Sequence, residues 1–90
     1  MSEAQQSSGY PKIDFTTFVL SISTAAFMGL GISPAGNGEL KPDFELAKQN
    51  IDLLELLWEK TRGNRTLEED KLLQQLLFET RLRFVEATKK

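Results

Sequence analysis

Chemistry needs side chains that ionise, attack or ligate, and this chain offers few of them. Glu68, Glu69 and Asp70 form a tight acidic run, the residue types that bind a divalent cation or divide acid and base roles. Adjacent positions on a helix point in different directions, however, so such a run does not converge on one ion. Carboxylates also gather at helix starts because the helix dipole favours them there. The second candidate is basic: Arg62, Arg65 and Arg81, with Lys60 beside them, have the forked donors that suit an anion or a partner's carboxylate. The competing account pairs these cations with helix C-termini and with Glu55, Glu59 and Glu79. Trp58 reads as a core or interface anchor before it reads as part of a cofactor box.

The missing residue types narrow the chemistry further. The ninety residues include no His and no Cys. The commonest general base, the commonest metal ligand and both usual nucleophile couples are therefore gone. No disulfide or thiolate zinc site can form. The expectation is a non-enzyme with no catalytic residues, no cofactor and no metal. A net charge of −2 leaves no basic footprint for nucleic acid.

These residues need elements to hold them. Residues 1–12 are polar and aperiodic and are expected to form a flexible tail. They lack the basic start and apolar middle of a secretion signal, which points to a cytoplasmic protein. Residues 13–88 are expected to form a single helical domain. Asp14 is placed to cap a first helix over residues 15 to 30, which holds no charged residue. Its apolar residues cover nearly the whole circumference, the pattern of a buried helix. Thr16, Thr17, Phe18, Val19 and Ile22 also suit a strand, but the run is too long and unbroken for one.

Gly29 to Gly38 is rich in turn residues and predicts a surface loop. A phosphate cradle would need a preceding strand and a following Lys-Ser or Lys-Thr, which this loop lacks. Pro42 suits the first turn of a second helix. Phe44, Ala47, Ile51, Leu54 and Trp58 step along that helix by threes and fours, with Leu46, Leu53, Leu56 and Leu57 beside them. Gly63-Asn64 reads as its C-terminal stop. Thr66-Leu67-Glu68-Glu69 has the spacing of a capping box for a third helix, reaching to about Ala87. Leu73, Leu76, Leu77, Thr80, Phe84 and Ala87 share one face of it, while Leu72, Phe78, Leu82 and Val85 fall partly outside that face.

The fold class is thus all-α: a helix hairpin plus a buried apolar N-terminal helix. A domain of this size buries only about 60% of its unfolded surface and is marginal alone. All three helices carry more apolar surface than one neighbour covers. The expected resolution is a homo-oligomeric helical bundle. Ser21, Ala25 and Gly29, spaced by four, form a small-residue strip that permits close backbone approach. With Phe18, Ile22 and Trp58 they are the candidate oligomer interface. Membrane insertion is disfavoured, since residues 15 to 32 barely reach the about eighteen needed and include five hydroxyl side chains before Gly29.

The strings Asp14-Phe15-Thr16-Thr17-Phe18-Val19-Leu20-Ser21 and Gly29-Leu30-Gly31-Ile32 resemble a small bacterial family known as domain of unknown function 1844. The likeness continues through Asp43-Phe44-Glu45-Leu46-Ala47-Lys48, Ile51-Asp52-Leu53-Leu54, Glu59-Lys60-Thr61-Arg62-Gly63-Asn64 and Leu67-Glu68-Glu69. It ends at Leu82-Arg83-Phe84-Val85-Glu86-Ala87. The resemblance implies a short cytoplasmic protein, but it supplies no activity and no site residues. The functional expectation is a homo-oligomeric interaction module that engages itself and an unidentified protein partner. The alternative is a binder of small apolar ligands or membrane surfaces, using the space between the first two helices.

Overall fold

The computed structural model describes residues 13–33 and 41–89. The expected tail and most of the first loop lie outside these residues. Three helices follow in order: α1 (Phe15–Gly29), α2 (Phe44–Lys60) and α3 (Leu67–Thr88). The domain is all-α, with α2 and α3 as the hairpin and α1 packed mainly on α2 and less extensively on α3.

Each helix starts where a side chain satisfies the free amides of its first turn. The Asp14 carboxylate accepts from the Thr17 amide at 2.8 Å. Asp43 does the same for Leu46 at 3.2 Å. Asp43 is therefore the cap of α2, and Pro42 precedes the cap instead of occupying the first turn. Thr66 and Glu69 complete the expected capping box: the Glu69 amide donates to Thr66 Oγ1 at 3.1 Å and the Thr66 amide to Glu69 Oε1 at 2.9 Å. Gly63, just beyond the end of α2, has φ +83°, the left-handed geometry that glycine adopts without a steric penalty.

Val19 and Ile22 of α1, Leu54 of α2, and Leu73 and Leu77 of α3 form the central buried cluster. Phe15, Leu57, Trp58 and Leu76 pack around it. Polar residues also enter the interior. Ser23, Asn50 and Thr80 are buried, and each returns its donor to a carbonyl of its own helix, Leu20 at 2.9 Å, Leu46 at 3.0 Å and Leu76 at 2.7 Å. Such local bonds remove the desolvation penalty that would otherwise exclude these residues from a core.

Within one chain α1 is buried on one face only. Val19, Ile22, Ser23, Ala26 and Gly29 are buried, whereas Phe18, Leu20 and Met28 remain 47%, 43% and 41% exposed. One domain of this size has two helices to set against α1, and they cover one face of it. The uncharged character of this helix is thus only half accounted for within a single chain.

Candidate functional site

The three arginines do not converge. Arg62 donates to both carboxylate oxygens of Glu59 at 2.8 and 2.9 Å, one helical turn away on the surface. Arg81 of α3 grips Glu55 Oε2 of α2 through Nε and an Nη at 3.0 and 2.8 Å. Both pairs are more than two-fifths exposed, a setting in which an ion pair contributes at most about 1 kcal/mol.

Arg65 is different, since its side chain is 8% exposed. It donates to the Trp58 carbonyl at 2.8 Å, to Thr61 Oγ1 at 2.9 Å and to Asp70 at 2.9 Å. Its guanidinium also lies 4.0 Å from the centre of the Trp58 ring. One side chain therefore joins the end of α2 to the start of α3. Its guanidinium is engaged by Asp70, the Trp58 carbonyl and the Trp58 ring, so Arg65 acts as a clasp between the two helices. The acidic run is divided in a similar way: Glu69 caps α3 and Asp70 holds Arg65. Among the described residues, no three His, Cys, Asp or Glu side chains are grouped so as to share a metal ion.

The expected interface residues also separate. Ile22 and Gly29 are buried inside the chain. The glycine end of the small-residue strip serves the chain's own packing. A Cβ placed on Gly29 would fall 2.7 Å from the Ala47 nitrogen and 2.9 Å from its Cα, so α1 and α2 touch backbone to backbone there. Phe18 and Ser21 are exposed and Ala25 and Trp58 half-buried. The Ser21 hydroxyl donates to the Phe18 carbonyl at 2.7 Å.

A recess lies on the hairpin. An open groove of about 550 Å³ runs between Trp58 of α2 and the outer flank of α3, where Leu77, Phe78, Arg81, Leu82 and Val85 line it. It lies between α2 and α3. Phe78, Leu82 and Val85 are 66%, 43% and 57% exposed. Sequence reasoning set these three outside the core face of α3 without assigning them to an interface. The signal was their spacing, since 78, 82 and 85 step by four and three just as a core stripe does. At the far end of the hairpin Phe44 meets Phe84 edge to face, with ring centres 6.3 Å apart. This contact leaves the groove side of α3 uncovered.

Taken over the whole described surface, thirteen large apolar side chains are at least 38% exposed, against nine hydrophobic residues in the core. No helix is long and apolar enough to cross a membrane among the described residues.

Comparison with known proteins gives one match. The model of a family described as Domain of unknown function (DUF1844) matches residues 12–86. No curated protein and no solved structure matches the chain.

Proposed function

This chain belongs to the DUF1844 family, and from that premise we propose that it is a non-enzymatic, homo-oligomeric helical interaction module. The observation that carries this reading is the apolar surface left outside: among the described residues thirteen large apolar side chains are exposed, against nine hydrophobic residues in the core. An exposed leucine or phenylalanine is ordinary when single; several large exposed apolar side chains on each of three helices of a small domain are what a partner covers. Self-association is the economical form of that cover, because closed symmetry doubles each favourable contact.

The non-enzymatic part rests on the absence of His and Cys and on the engagement of the candidate ionic groups with one another. A cytoplasmic setting belongs to the same reading, since a cysteine-free chain gains nothing from an oxidising compartment. The assembled surface then presents the remaining apolar and charged residues to a second protein. The test is native mass by light scattering across micromolar chain concentrations. A mass of two or more chains is the expected result, and a monomer throughout would overturn the proposal.

A further inference from the structure

We propose that the outer face of α3 recognises itself: a second copy's α3 lies along it antiparallel, with the two Phe78 side chains meeting at the two-fold axis. This rests on the homo-oligomeric reading and specifies the surface and the register. Leu67, Lys71, Gln74, Phe78, Leu82 and Val85 step along one side of α3 by threes and fours and so form a continuous stripe. Leu67 and Phe78 are its most exposed apolar members, at 71% and 66%. The stripe borders the groove beside Trp58, which offers space for an aromatic ring from across the axis. Large aromatic side chains in such pockets dominate the energetics of helix-in-groove interfaces.

Charge selects both the occupant and its direction. Lys71 lies in the first part of the stripe with Glu68 beside it, and Glu86 and Lys89 lie just beyond its last apolar residue. All four are exposed, and among the described residues none of them takes part in an ion pair within the chain. With Phe78 on the axis, Lys71 lies seven positions before it and Glu86 eight after. An antiparallel second copy therefore sets Lys71 against the second copy's Glu86. Glu68, ten positions before, similarly meets Lys89, eleven after. Symmetry repeats each pair, giving four attractive contacts around an apolar centre. A parallel, in-register pair would oppose each charge with its own kind, which is destabilising. Alternating signs also fit another copy of this helix better than an anionic lipid surface, which favours a basic face.

The test combines native mass with three variants, each checked for unchanged helicity by circular dichroism. Phe78→Ala should raise the dimer dissociation constant about tenfold or more. Lys71→Glu should raise it about tenfold, because two attractive pairs become repulsive, and Lys71→Glu/Glu86→Lys should restore it to within about threefold of the parent. An oligomer that ignores Phe78→Ala would overturn the assignment to α3 and leave the oligomeric reading standing. Loss at Lys71→Glu without rescue by the double variant would overturn the antiparallel register. A parent chain that stays monomeric would remove both readings. If that monomer also bound a fatty acid with a change in Trp58 fluorescence, the groove would belong to a small apolar ligand instead.

Discussion

Replacing Gly29 with alanine separates two uses of the small-residue strip on α1. The added methyl carbon would fall 2.7, 2.9 and 3.0 Å from the nitrogen, Cα and Cβ of Ala47. The two nearest atoms are backbone, so relief requires α1 and α2 to move apart and not merely a side chain to rotate. That movement also strains a junction, because the Asp43 amide donates to the Gly29 carbonyl at 2.7 Å and Asp43 caps α2. Overpacking of this kind costs about 1–3 kcal/mol. Alanine returns up to about 1 kcal/mol by restricting the unfolded chain and favouring helix. The net expectation is a loss of about 1–2 kcal/mol. With a urea slope near about 1 kcal/mol per molar for a domain this small, the midpoint should fall by about 1–2 M. The assay is urea unfolding followed by circular dichroism at fixed chain concentration, since oligomerisation makes stability concentration-dependent. A variant as stable as the parent, with weakened assembly as its only change, would refute the reasoning and return Gly29 to an intersubunit contact.

Substitutions at two further positions probe the hairpin. Arg65→Ala should cost about 2–3 kcal/mol, since it removes charge-assisted hydrogen bonds and the stacking on Trp58 together. Arg65→Lys should recover only part of this, because an ammonium lacks the planar fork. Trp58 is the only tryptophan in the chain, so its fluorescence reports the clasp directly; an unshifted spectrum in Arg65→Ala would show that the clasp is not occupied in solution. Thr66→Ala should cost about 1 kcal/mol by leaving the Glu69 amide without its cap, and Thr66→Ser should cost much less. Equal losses in the two variants, measured by thermal unfolding, would count against the capping box.

The parts of this protein legible from sequence are those governed by local rules. Asp14 and Thr66 begin helices because a short oxygen-bearing side chain reaches the amide three residues on, and that reach depends only on neighbouring residues. The seam Ala47, Ile51 and Leu54 is buried because the helical period alone aligns it. The all-α class and the family resemblance follow from signals of the same kind. Pro42 shows how fine that grain is: the cap fell two residues later than a proline at the first helical position implies.

The arginines and the apolar excess required the tertiary structure. In sequence Arg62, Arg65 and Arg81 look equivalent, since each has the same donors and lies within reach of acidic residues. Only the fold distinguishes them, by burying Arg65 between two helix ends while Arg81 bridges α2 and α3 at the surface. The strip Ser21-Ala25-Gly29 has the same ambiguity, because small residues allow close approach without naming the neighbour. The packing of α1 on α2 supplies that name, and Ala47 is the answer for Gly29. The chain by itself determined three helices, their starts and a surplus of apolar side chains. Which of those side chains face inward was decided by how three rods pack, because each rod's own period permits several faces and only mutual contact selects one. That selection leaves Phe78, Leu82 and Val85 outside.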